Sequence, residues 1–276
     1  MRVKGERGSM HSDIQAVVID LDGTLLDSSK NISKETVRTL RSASEMGLRI
    51  LLATGRSLKA SERYIEELGL SHPLICYNGS CVYDPLAGKD LFHTWMSERV
   101  CTEILSIEDT VNCSFHAYRR HEVHALHTER HSEYLKQMLH MQDSSDTDIT
   151  SLETYEFTKA VFVGEFSDTE QVRRHLAQTF PDSIHQVYSR PHFFEVMSTG
   201  ATKGDALRLL LEHEGIEPNR VMAIGDENND LEMLRMVGHP VAMANGTKQV
   251  KEAARYHTSS CDEEGVSRII ERIVLS

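Results

Sequence analysis

The sequence predicts an α/β protein: a Rossmann-like doubly wound parallel sheet core that carries an inserted α+β cap domain. Three observations predict it. Short, continuous apolar runs alternate with amphipathic helical stretches toward both ends of the chain, the pattern of a parallel sheet covered by helices on both faces. Each run ends at a polar residue, and four of the five have a glycine next to it. The middle of the chain changes character, to paired short strands separated by polar turns and followed by helical patterns, as in an antiparallel α+β module.

The expected core strands are Ala16–Ile19, Ile50–Ala53, Leu74–Tyr77, Val221–Ile224 and Val241–Met243, with helices at Lys34–Met46, Leu58–Leu68, Lys203–His213 and Asp230–Val237. In the middle, Ser114–Arg119 and Val123–Thr128 read as a hairpin about Arg120 and His121, followed by a helix at Ser132–Met141 and a polar break at Gln142–Asp148. Ala160–Glu165, Ile184–Ser189 and Phe193–Val196 read as strands, and Thr169–Phe180 as a helix. The expected division is therefore a core of residues 11–84 and 191–276, an inserted domain at 85–190, and a leader at 1–10 outside the fold.

Bulk composition narrows the partners. The chain has 276 residues, 39% hydrophobic and 26% charged, with a formal net charge of −12. Its length and composition fit a globular protein of two domains, and its acidity argues against nucleic acid or an anionic membrane as partner. No apolar run approaches the roughly 20 residues that span a bilayer. The five cysteines are odd in number and scattered, which predicts no disulfide framework and a cytoplasmic location.

The five runs end at Asp20, Thr54, Asn78, Asp226 and Asn245. In open α/β sheets, ligands bind outside the carboxyl ends of the strands, so these residues describe one site. Asp20, Asp22, Asp226 and Asp230 would meet there. Two unit charges 4 Å apart cost about 4 kcal/mol at an effective dielectric near 20, so a cation has to offset them. A few carboxylates with a phosphate suit Mg²⁺. An EF-hand is excluded, because its twelfth position, a glutamate, is here Asn31.

A carboxylate at such a site can also act as a nucleophile toward phosphorus, while a second acid carries the proton. Lys203 stands in the first turn expected after the cap Thr202, against the preference of the helix dipole for anions, and a helix start with a lysine is a cradle for phosphate. Thr54, Gly55 and Arg56 offer a hydroxyl, an amide and a guanidinium to phosphoryl oxygens. Taken singly, Lys203 reads more readily as a solvated surface lysine, Arg56 also as an ordinary surface arginine, and Thr54 equally as a strand-end residue.

Together these stretches resemble a known family. "DLDGTLLD" (Asp20–Asp27), "ATGR" (Ala53–Arg56), "TKGDAL" (Thr202–Leu207) and "GDENNDLEML" (Gly225–Leu234) resemble, in order, the four motifs of the haloacid dehalogenase (HAD) superfamily. "NGS" (Asn78–Ser80) and "FFEVMSTGATKG" are similar to the Cof-like subfamily of phosphatases. The resemblance implies Mg²⁺-dependent hydrolysis of a sugar phosphate or similar monoester through an aspartyl-phosphate. Asp20 would be nucleophile and metal ligand. Asp22 would be general acid/base, with its carbonyl on the metal. Thr54 and Lys203 would hold the phosphoryl group, Asp226 the metal, and Asn229 and Asp230 the surrounding shell. The insert would be the cap that sets the substrate.

Within that cap His116, His121, His124, His127 and His131 read as solvent-exposed or substrate-facing rather than as a second metal site. Arg119, Arg120 and Arg190 read as anion ligands or solvated residues, Phe92 and Trp95 as cap packing, and Glu195 as a residue of the domain junction. Two other readings stand beside the phosphatase: a phosphomutase of the same superfamily, and a non-enzymatic phospho-metabolite sensor. A small phosphorylated metabolite is the expected partner, and the chain is expected to be a monomer or homodimer.

Overall fold

The computed structural model describes residues 13–127, 149, 154–190 and 192–275. The expected helix at Ser132–Met141, the polar break after it, His131 and the leader lie outside the described residues, as does the Arg190 side chain.

An eight-stranded sheet forms the first layer system. Its strands are β1 (Ala16–Asp20), β2 (Arg49–Ala53), β3 (Leu74–Cys76), β4 (Cys81–Asp84), β5 (Lys89–His93), β11 (Val221–Gly225), β12 (His239–Ala242) and β13 (Tyr256–His257). They lie in the order β13-β12-β11-β1-β2-β3-β4-β5. The pairs from β13 to β3 are parallel, and β4 turns back antiparallel on β3. Every residue of β1 and β11 is buried, as expected of central strands covered on both faces. From β1 the chain winds outward through β2 and β3, then returns to β11 on the other side of β1. The gap between β1 and β11 is therefore a topological switch point, where open α/β sheets form their ligand crevice.

Helices α1 (Lys34–Glu45) and α2 (Leu58–Leu68) follow β1 and β2. Ser33 caps α1 by accepting from the Thr36 amide at 3.0 Å. The helix that runs Lys203–Glu214 is capped by Thr202, whose hydroxyl accepts from the Asp205 amide at 3.1 Å, and it stops at Gly215, which takes a left-handed φ of 65°.

The second sheet is antiparallel: β6 (Ser114–Arg119), β7 (Glu122–Leu126), β8 (Lys159–Val163), β9 (Ile184–Arg190) and β10 (Phe193–Ser198), in the order β7-β6-β8-β10-β9. One face packs Phe115, Phe162 and Phe194 against helices α3 (Glu98–Glu108) and α4 (Phe166–Thr179), through Val100, Ile104, Val172 and Leu176. Burying such side chains contributes about 1.5–3 kcal/mol each.

The chain forms two compact units, one of residues up to Arg56, Ala60–Asp90 and Thr202 onward, the other of Ser57–Lys59 and Leu91–Ala201. The sequence reading set the insert at 85–190. Strand pairing moves both limits: β5 pairs beside β4 in the first sheet, and β10 pairs with β8 and β9 in the second. The β10 strand was expected as a strand, but only its partners place it in the second sheet, and β5 carried no strand signal. The cap histidines also differ from expectation, since His116 and His124 are buried. Trp95 does pack within its own unit, stacked on His93 with ring centroids 3.7 Å apart.

Candidate active site

All the site residues named below belong to the first unit. Asp20 is the last residue of β1 and is 5% exposed. The chain then turns tightly, with the Leu25 and Leu26 amides donating back to the Asp20 and Leu21 carbonyls at 3.1 and 2.9 Å. Leu21, Leu25 and Leu26 are buried and anchor this turn in the core. Gly23 has φ 85°, and a Cβ there would overlap Asp226 Oδ2. Glycine is thus required for the first and last acids to approach.

Asp226 follows β11 and is 6% exposed. Its Oδ1 accepts from Thr24 Oγ1 at 2.8 Å, and Asn245 Nδ2 donates to its Oδ2 at 3.3 Å. Lys203, 1% exposed, sends Nζ to Asp20 Oδ1 and Asp230 Oδ1, each at 2.6 Å. Carboxylate oxygens of Asp20, Asp226 and Asp230 lie within 4.8 Å of one another. Three of the four acids expected to meet thus converge, whereas the Asp22 carboxylate turns to Arg56 and Lys30; one ammonium faces three buried carboxylates.

The electrostatics register the imbalance. Burial, reinforced by repulsion from Asp230 and Asp226, pushes the Asp20 carboxyl well above its ordinary range despite Lys203. Burial, with Asp230 and Glu227 nearby, raises Asp226 to about 6, although the Thr24 hydroxyl favours its charge. Burial opposes the charge of Lys203, but Asp20 and Asp230 outweigh it and raise its proton affinity. A divalent cation relieves the acids without protonating them. The metal-ligating atoms that converge here are all carboxylate oxygens, the chemistry that fits Mg²⁺.

Three of the expected residues meet protein partners in the structure. Arg56, expected on phosphate, holds Asp22 with both arms of its fork, Nε to Oδ2 at 2.6 Å and Nη2 to Oδ1 at 2.7 Å, and Lys30 Nζ adds a contact at 2.8 Å. Although partial burial opposes charge on Asp22, these bonds lower its pKa to about 2. The bidentate fit of guanidinium to carboxylate explains the preference. Asp230, expected on the metal, has both oxygens engaged: Oδ1 by Lys203, Oδ2 by the Asp226 and Glu227 amides at 2.9 and 3.1 Å. It shapes the loop that presents Asp226. Asn229, expected at the phosphate, donates instead to Asn78 Oδ1 at 2.9 Å.

Thr54 is 1% exposed at the end of β2, its amide on the Ile75 carbonyl at 2.8 Å and its hydroxyl accepting from the Arg56 amide at 3.1 Å. Its neighbour Gly55 leaves room for the Asn78 side chain, whose Oδ1 would lie 2.9 Å from a Cβ there. Tyr77, Asn78 and Gly79 all have positive φ, a strained run of the kind found at functional sites. At Gly79 a Cβ would overlap the Thr202 carbonyl, just ahead of Lys203. Gly79→Ala is expected to lose at least about 2 kcal/mol of stability and, by displacing Lys203, most activity. Urea unfolding and turnover measured on one preparation check it.

The sequence reading missed Thr24 and Lys30 and gave Asn78 and Asn245 no role. Thr24 was within reach, because it sits inside the acid motif. Lys30 carries no local signal.

This arrangement, with acids from β1 and β11 at the switch point and a lysine from a helix start, defines a site of the HAD type. A model of the haloacid dehalogenase-like hydrolase family matches residues 17–270. The chain belongs to that family and is an enzyme of the HAD hydrolase class. It is 28% identical over 260 residues to a 5-amino-6-(5-phospho-D-ribitylamino)uracil phosphatase of Bacillus subtilis, covering 92% of this chain and 96% of the relative. It is 30% identical over 235 residues to the HMP-PP phosphatase of Serratia proteamaculans, covering 84% of each. A haloacid dehalogenase-like hydrolase from Bacteroides thetaiotaomicron superposes with a TM-score of 0.87 at 30% identity, over 94% of this chain and 99% of that one.

Among the described residues no helix is long and apolar enough to cross a membrane.

Proposed function

We propose that the enzyme is a phosphatase that hydrolyses the phosphate monoester of a small metabolite through an aspartyl-phosphate on Asp20. The observation that carries this reading is the buried convergence of Asp20 and Asp226 with Lys203 at the switch point. A carboxylate there is isolated from bulk water and faces a fixed ammonium, which suits attack on an anionic phosphoryl group.

A carboxylate oxygen of Asp20 forms the bond to phosphorus, and the bond from phosphorus to the leaving oxygen breaks. Asp22 gives that oxygen a proton. It then takes one from a water that attacks phosphorus, which frees phosphate and restores Asp20. The Thr54 hydroxyl, the Gly55 amide and the Lys203 ammonium orient the phosphoryl oxygens. To carry the proton, Asp22 must part from Arg56 and Lys30, which hold it as a carboxylate. Asp20, Asp226 and the Asp22 carbonyl would hold Mg²⁺, which when bound offsets charge on the phosphoryl oxygens.

The test is a phosphate-release screen over phosphorylated metabolites with Mg²⁺. It should include the substrates in the names of the two relatives, 5-amino-6-(5-phospho-D-ribitylamino)uracil and HMP-PP. Release is expected on a subset of the panel, to vanish with chelator and to return with Mg²⁺. Phosphate from no member overturns the reading, and isomerised sugar phosphate in its place selects the mutase.

The acid cluster also sets a stability trend. A carboxyl with a raised pKa holds its proton more tightly folded than unfolded, so it withdraws stability as pH rises from the ordinary carboxylate range through about 6. In chelator, Asp226→Asn is therefore expected to gain in melting temperature over the wild type across that window. Added Mg²⁺ should narrow the difference. Thermal melts at pH 4 to 8 decide it, and a gap that does not change with pH refutes the assignment.

A further inference from the structure

A second cluster of ligand-type side chains lies within the other unit, made of none of the residues above. Glu108 ends helix α3 and its side chain is 9% exposed; Asp109 is the cap residue that follows. His127 comes directly after β7, with a φ of 56°. His127 Nε2 lies 2.8 Å from Glu108 Oε2 and 2.8 Å from Asp109 Oδ1. The three ligand atoms are all within 4.8 Å of one another.

The placement runs against ordinary electrostatics. A helix C-terminus carries about half a negative charge, and it favours cations. Here it receives two carboxylates in succession, one of them buried. A divalent cation at that position meets all three donors and offsets both carboxylates. Mixed imidazole and carboxylate donors suit Zn²⁺, whereas Mg²⁺ and Ca²⁺ prefer oxygen alone.

We propose that Glu108, Asp109 and His127 form a Zn²⁺ site that ties the end of α3 to the end of β7. The reading does not depend on the phosphatase proposal.

The test uses the full-length, untagged chain carrying Asp226→Asn, which removes a carboxylate of the acid cluster, after chelator stripping. Calorimetric titration with Zn²⁺ is expected to give one equivalent. Asp109→Asn, at an exposed side chain that the fold tolerates, and His127→Gln are each expected to weaken it by at least tenfold, of the order seen when metal-site residues are altered. Zinc X-ray absorption on the parent should show one imidazole nitrogen with carboxylate oxygens. Absence of stoichiometric binding, affinity unchanged by Asp109→Asn, or a zinc shell without imidazole each overturns the proposal. Should His127→Gln fail to fold, Asp109→Asn and the absorption spectrum still decide.

Discussion

Asp20→Asn is expected to lower turnover by about 10⁴-fold or more while the protein stays folded, a loss typical of removing a covalent nucleophile. The amide cannot become an acyl phosphate, yet its oxygen can still accept from Lys203, which keeps Asp230 as a charged partner. The variant should melt no lower than the wild type in chelator. Burial opposes charge on Asp20, and Asp230 and Asp226 add to it, despite Lys203, so a neutral residue relieves repulsion. Loss of function with equal or higher stability is the signature of a site whose geometry serves chemistry rather than folding. Phosphate release and thermal melts on one preparation give both halves. Mass spectrometry must show that no amide has reverted to acid. Turnover within tenfold of wild type removes Asp20 from the nucleophile's role.

The parts of the site that were legible share a physical cause. Asp20 and Asp226 stand at the ends of apolar strands, and a charge where a buried strand stops needs a reason that a turn does not supply. Lys203 was legible because it opposes the dipole of its own helix. Thr202 and Asp205 gave the start of that helix through the capping pattern. What failed to show depends on distance in space. Arg56 follows a motif threonine and reads as a phosphate ligand, but its fork meets Asp22, 34 residues away in sequence. Lys30 reaches the same acid from a turn with no recognisable pattern. The Asp230 side chain faces Lys203 and two amides, and no spacing rule separates that from a metal ligand. The fold's limits were blurred for a similar reason: only their partners reveal which sheet holds β5 and β10. His116 and His124 sit in a polar-looking stretch whose burial comes from the packing around the second sheet.

Lys203→Met is expected to be among the most destabilising single changes in the first unit. Methionine matches the lysine stem in length and fills the same space, so the effect isolates the charge. Three buried carboxylates then lose their one buried ammonium. Breaking a buried pair by deleting one partner costs about 3–5 kcal/mol, or roughly 10 °C in melting temperature for a chain of this size. The cost should depend on pH in a definite direction. Acids without a cation protonate, and Lys203 is one of the groups that hold the Asp226 value down, so the deficit against wild type should grow as pH rises and shrink as pH falls toward the ordinary carboxylate range. Mg²⁺ should restore part of the stability, since it offsets the same charges. It should not restore turnover, because the ammonium also holds the phosphoryl oxygens, a contact worth about 10²-fold or more in rate when one such donor is removed. Stability recovered by Mg²⁺ without activity thus separates the two jobs of Lys203. A variant that melts within a degree of wild type in chelator at pH 7.5 shows that some other group neutralises the acids, and the electrostatic account of the site then fails.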